Sequence, residues 1–216
     1  NANADDGSCA GYPSDGEHSL SFDGSGDYVS VTSPSVPIGD SHYTIEAWIY
    51  TESMNHRGWI GWGNYGSWNQ VNALRLSGSG IYNYWWGYDL HVNVNVSGGW
   101  YHVTATYDGN TRSIYVDGVL IGTDTDSIAA KTQTLYMGYN NASTGGSPAY
   151  FDGKMRDVRI YDYELSTDQV SSLYSGSYNV VPYLWWKIDP SRGDIRVENS
   201  DFGWLRLLLP NTRRVR

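Results

Sequence analysis

The sequence predicts an all-β fold, a sandwich or barrel, with one short helix near its C-terminal end. Three observations lead there. Tyr, Trp and Thr are favoured on half-buried pleated surfaces, and the chain holds 19 Tyr and 10 Trp beside 25 Gly, with only 3 Phe and 3 Met. Short runs of alternating apolar and polar residues recur about every ten residues, each bounded by Gly, Asn, Asp or Ser. A length of 216 residues suits a single unit of this class.

Residues 1–17 are rich in Asn, Asp, Gly and Ser without periodicity, which predicts a linker or repeat remnant. A single domain is expected over 18–178. Within it, His18–Phe22 and Tyr28–Val31 alternate around a GSGD connection and predict a first strand pair or one bulged strand. Tyr43–Tyr50 predicts a central strand. Tyr43, Ile45, Ala47 and Ile49 fall on one face, and Thr44, Glu46, Trp48 and Tyr50 on the other. Trp100–Tyr107 alternates in the same way. In SIYVDGVLIGT, Asp117-Gly118 between two β-rich arms signals a hairpin with a type I′ turn. Ser166-Thr167-Asp168-Gln169 forms a capping box, with Leu165 and Val170 at the staple positions, so a helix is expected to about Tyr174. Residues 179–216 turn basic, lack alternation and hold three prolines. They are expected to be an irregular tail or the truncated start of a further repeat, not part of the same sheet.

The formal charge of −9 is uneven: residues 1–180 hold 7 Lys/Arg against 19 Asp/Glu. Such a body repels phosphate backbones and anionic lipid, which argues against nucleic acid and leaves neutral glycans or divalent cations as partners. No apolar stretch approaches the roughly 18 residues that a membrane span needs, so no membrane insertion is expected. The chain begins at Asn1 without a leader, so an export signal is expected upstream or already removed. Cys9 has no second cysteine to pair with in this sequence.

The segments SFDGSGDYVSV, YTIEAWIYT, GIYNYWWGYDLHV, WYHVTATYDGNTRSIYVDGVLIG and FDGKMRDVRIYDYELSTDQV resemble, in that order, the laminin-G-like domains of the concanavalin A-like lectin/glucanase superfamily. The resemblance implies a jelly roll of two antiparallel sheets, often with a structural calcium ion, attached to secreted enzymes or adhesins. The opening NANADDGSC resembles a short Cys-containing repeat of secreted and surface proteins of marine bacteria. That resemblance implies pairing of Cys9 beyond this fragment, a secreted or cell-surface location, and neighbouring domains on the same polypeptide.

Function has to come from sites, because one sandwich hosts many functions. Flat rings stack on pyranose faces while polar groups take the hydroxyls. Trp62, Tyr65 and Trp68 lie in a Gly-rich stretch, followed by Trp85 and Tyr88, with Arg75 and Asn83 interleaved. These seven are the candidate ligand-binding residues, the alternative being that the rings are core. Asp23, Ser25 and Asp27 in FDGSGD, together with Asp157, are candidate calcium ligands, since calcium takes six to eight hard oxygens. The alternative there is Asx-turn chemistry. Asp5, Asp6, Asp15 and Asp152 are expected to be turn or solvating residues. The E-x-D-x-x-E or E-x-D-x-E strand motif of related laminarinase-type enzymes is absent, Glu46 stands alone on its strand, and His102 is expected to be structural. The expectation is a non-catalytic carbohydrate-binding or adhesion module. A glycoside hydrolase or polysaccharide lyase on the same fold, and a structural spacer, stand as alternatives.

Overall fold

The computed structural model describes residues 19–32, 34–55, 57–131, 134–140, 149–176, 184–189 and 194–199. The expectations for residues 1–17, Cys9 included, lie outside the described residues, as does most of 179–216. The strands are β1 (Leu20–Asp23), β2 (Val29–Val31), β3 (Tyr43–Thr51), β4 (Gly58–Gly63), β5 (Val71–Ser77), β6 (Gly80–Tyr84), β7 (Leu90–Asn93) and β8 (Gly99–Tyr107). They continue with β9 (Thr111–Val116), β10 (Val119–Thr125), β11 (Leu135–Met137), β12 (Tyr139–Asn140), β13 (Ala149–Tyr150) and β14 (Asp152–Tyr161). The helix α1 (Thr167–Tyr174) follows, then β15 (Leu184–Asp189) and β16 (Asp194–Asn199).

Two antiparallel sheets face each other. One runs β10-β9-β8-β3-β14, and the far side of β14 is shared: β1 pairs with its Asp152–Met155 stretch, while β15, followed by β16, pairs at Arg159 and Ile160. The other runs β2-β11-β4-β5-β6-β7. The jelly-roll sandwich is therefore as the sequence predicts. Two details differ. β1 and β2 do not pair with each other but belong to opposite sheets, because the connection between them turns through Gly24 and Gly26 at φ 75° and 86° and carries the chain across the sandwich. Residues 184–189 and 194–199 form a hairpin on the edge of β14, so this part of the basic segment joins the sheet from which its lack of alternation had separated it.

The core is built from the predicted alternation. Tyr43, Ile45, Ala47 and Ile49 point inward from β3, and Val103, Ala105 and Tyr107 from β8. Ile60, Leu74, Leu76 and Ile81 meet them from the other sheet. At the hairpin tip, Asp117 (φ 50°) and Gly118 (φ 75°) both have positive φ, the signature of the type I′ turn. A side chain at Gly118 would also crowd Ser171 and Tyr174 of α1. The capping box forms as expected: Gln169 N donates to Ser166 Oγ, and Ser166 N donates to Gln169 Oε1. Tyr115, Tyr161, Leu165 and Val170 form a second cluster that clamps α1 onto the outer face of the larger sheet.

Candidate functional site

Register decides which side chains of the six-stranded sheet look outward. Ser30, Tyr136, Gly61, Ala73 and Tyr84 lie opposite one another across five strands. Two residues along, Gly58, Arg75, Tyr82 and His91 form a parallel row. Paired residues share a face, and this face is opposite the one that carries Leu74, Leu76 and Ile81 into the core. Small residues form its middle: the Tyr65 ring folds over Gly61, where an added Cβ would lie 2.6 Å from the phenol oxygen. That hydroxyl is buried without a hydrogen-bond partner among the described residues. Burial holds its proton on far above the ordinary range for tyrosine. Arg75 is buried on this face with its guanidinium 4.9 Å from the Tyr84 ring. Burial pushes the Tyr84 phenol up to about 12.

Two loops border this face at one end, 64–70 after β4 and 85–89 after β6. Asn69 N donates to Trp86 O (3.1 Å) and ties them together. Trp68 is 69% exposed and packs against Gly87, where any Cβ would lie 2.1 Å from its ring. Trp86 sits at φ 56°, a left-handed conformation that is a genuine outlier for a bulky residue and costs of the order of 1–3 kcal/mol. Its ring lies 6.2 Å from that of Tyr84. Tyr88 is 43% exposed at the tip of the same loop. Asp89 accepts from Trp85 N (2.8 Å) and closes the turn.

The seven candidate ligand-binding residues therefore divide. Tyr65, Trp68 and Tyr88 belong to this loop surface, and Arg75 lies beneath it. Trp62, Asn83 and Trp85 do not reach it and are corrected to core positions, because their register turns them inward. Trp62 is fully buried and donates from Nε1 to Pro37 O (3.0 Å). Asn83 accepts from the Tyr43 hydroxyl (2.6 Å) and donates to Asn72 Oδ1. Trp85 is buried edge-on to Tyr107. Tyr84 and Trp86 join the surface in their place. The only sequence signal for them is the YWWG run, which does not say which ring of the pair faces out.

The four candidate calcium ligands do not converge either. Asp23 pairs across strands with Asp152, and Asp157 stands five residues further along β14, roughly 17 Å away at the rise of a strand. Asp157 sits in a bulge at φ 52° and faces Arg156 (3.3 Å) and Arg159 (3.5 Å). In the FDGSGD loop, Asp23 Oδ1 accepts from Ser25 N (2.7 Å) and Asp27 Oδ2 accepts from Asp23 N (3.2 Å), which is turn chemistry. No group of three or more His, Cys, Asp or Glu suited to a metal occurs among the described residues. The set as drawn from the sequence does not fit a calcium ion.

Glu46 and His102, separate in sequence, meet on the outer face of the larger sheet. His102 Nε2 lies 2.8 Å from Glu46 Oε2, while Arg159 (2.7 Å) and the Tyr161 hydroxyl (2.8 Å) donate to Oε1. Glu46 is fully buried, so this network binds strands β3, β8 and β14 together.

A laminin-G family model of the concanavalin A-like lectin/glucanases superfamily matches residues 23–171, spanning β1 to α1. The chain belongs to this family. No curated protein matches the laminin-G-type domain significantly. Among solved structures it is similar to a native heptameric SAP-like pentraxin from Limulus polyphemus (18% identity, 87% of this chain and 97% of that one, TM-score 0.57). It is also similar to the CBM40 of a Ruminococcus gnavus IT-sialidase, solved with alpha2,3 sialyllactose (16% identity, 68% and 98%, TM-score 0.52). A third is the ligand binding domain of botulinum neurotoxin serotype D in complex with N-acetylneuraminic acid (18% identity, 73% and 41%, TM-score 0.53). At these identities the likeness establishes the fold. No helix among the described residues is long and apolar enough to cross a membrane.

Proposed function

We propose that this laminin-G-type domain is a lectin-like, carbohydrate-binding module of an exported multidomain protein, with its glycan lying across the 64–70 and 85–89 loops. One observation carries the reading: Trp86 is held in a left-handed backbone conformation beside the exposed Trp68, so the chain sustains strain in order to present two indoles at one loop junction. Strain of this kind persists where the surroundings impose it, and it concentrates at functional sites. The neighbouring phenols of Tyr65, Tyr84 and Tyr88 and the polar Asn64, Asn69 and Asp89 supply the mixture of flat apolar faces and hydrogen-bonding groups that a pyranose needs. Two of the structural relatives, solved with alpha2,3 sialyllactose and with N-acetylneuraminic acid, support the same reading.

A glycan array followed by titration calorimetry tests it. Trp68→Ala should weaken binding of the best glycan at least tenfold, about 1.4 kcal/mol, with an unchanged melting curve because the ring is mostly exposed. Trp86→Gly should weaken binding similarly while leaving stability equal or higher, since glycine adopts positive φ without strain. An array without hits, or hits indifferent to both changes, rejects the site.

A further inference from the structure

The opposite sheet carries a second aromatic surface that the loop site does not use. Its outer face is covered at one end by residues 162–174 and left open at the other, where register places Ser21, Lys154, Tyr50 and Trp100 in one row across β1, β14, β3 and β8. At the corner of this row is a cavity of about 190 Å³, bordered by Ser21, Tyr50, Glu52, Asp152, Gly153 and Lys154. The depression is open to solvent, so a ligand can enter without rearrangement of the sheet.

The groups around it are of mixed character. The half-buried Tyr50 ring is held by a hydrogen bond from its hydroxyl to Glu52 and lies 5.9 Å from the Trp100 ring. Lys154 Nζ stands 5.8 Å from the Tyr50 centroid. Neither Lys154 nor Asp152 forms an ion pair among the described residues. Lys154, Asp152, Glu52 and Ser21 thus border the cavity together with Tyr50. Gly153 lets β14 run close against β3 at this corner, because a Cβ there would lie 2.0 Å from the Tyr50 carbonyl oxygen and 2.9 Å from the Phe151 ring. Within the lining itself two carboxylates stand against one ammonium, which disfavours an anionic ligand. A neutral ligand whose hydroxyls donate to the carboxylates and accept from the ammonium meets no such repulsion.

We propose that this corner is a second binding site, for a single neutral pyranose stacked on Tyr50 with its hydroxyls shared between Lys154, Asp152 and Glu52. It lies on the sheet opposite the loop site and stands or falls independently of it. Two sites facing apart would let one domain bridge two glycan chains.

Saturation-transfer NMR with methyl glucoside, methyl galactoside and N-acetylglucosamine, each at millimolar concentration, tests this on the Trp68→Ala, Trp86→Gly double variant, in which the loop site is disabled. At least one sugar should still receive saturation. That signal should fall at least tenfold in apparent affinity on adding Tyr50→Ala, and again with Lys154→Ala, an exposed change that leaves the fold intact. Absence of any signal in the double variant, or a signal indifferent to both Tyr50 and Lys154, overturns the second site. If the loop variants instead bind every sugar as the wild type does, and the signal depends on Tyr50, the loop site fails while this one holds.

Discussion

Arg57 reaches from the start of β4 to the turn after β1, donating from Nη1 to the carbonyls of Gly24 (3.3 Å) and Tyr150 (2.8 Å). A guanidinium placed there supplies positive charge and donors to a carbonyl-lined loop beside Asp23 and Asp152, the task a cation was expected to perform. Chelation should therefore leave the melting temperature unmoved. Arg57→Met should lower stability by about 1–3 kcal/mol through two lost charged hydrogen bonds. A drop of several degrees on adding a strong chelator would restore the calcium expectation. The carboxylate spacing in FDGSGD fits calcium and Asx-turn readings equally. What separates them is an arginine 33 residues away from Gly24, whose arrival depends on how β4 folds back, and no local pattern encodes that. Trp62 reads as a loop residue in the sequence for a related reason. Glycines flank it as they flank a loop residue, but Gly61 and Gly63 lie in β4 itself, where Gly61 leaves space on the outer face for Tyr65.

Among the elements, the strands with one apolar face were fully legible. β3 and β8 bury the residues that alternation assigns inward, because a period of two can serve only one core face at a time. β4 was not legible, because a register shift between Gly58 and Ile60 adds a residue and sends Trp59, Ile60 and Trp62 all into the core. The outer face of β3 carries large side chains too, and at one end its cover is α1 with the chain that leads into it. Thr44 Oγ1 donates to Tyr163 O and accepts from Leu165 N, both at 2.9 Å. Glu46 lies beneath. Burial alone would raise its carboxyl, but the hydrogen bond from His102 and the charge of Arg159 outweigh it and hold it below the ordinary carboxylate range. A group with a depressed folded-state pKa contributes stability that is present above its unfolded pKa, about 4.3 for glutamate, and is lost as pH falls further. Thermal melts across that range should show the wild type losing stability below about pH 4.3 more steeply than Glu46→Gln. Parallel curves for the two proteins would mean that Glu46 is not depressed.

Across the whole molecule, the two sheets are joined through Arg112, a residue to which the sequence assigned no role. It projects from β9 of the larger sheet into the interior, with its guanidinium 3.7 Å over the Trp85 ring. Nη1 donates to Asn83 O (3.1 Å) and Nη2 to Tyr88 O (2.9 Å), the two carbonyls that bracket residues 84–87. Asp124 of β10 neutralises the charge through Nε (3.0 Å) and Nη2 (2.6 Å). One planar fork thus holds both ends of the loop that carries Trp86, and it transmits the position of one sheet to the proposed glycan surface on the other. A lysine retains the charge but presents it as a point on a flexible stem, without the fixed geometry needed to hold two carbonyls and a carboxylate together. Arg112→Lys should therefore cost about 1–3 kcal/mol of stability, the scale of hydrogen bonds to a charged group. It should also weaken glycan binding at temperatures where the variant is fully folded, unlike Trp68→Ala, which should lose binding alone. Denaturant titration and calorimetry on the two variants separate the cases. Full glycan affinity in folded Arg112→Lys would show that the loop keeps its shape without the fork, and that the strain at Trp86 is imposed from within the 85–89 loop itself.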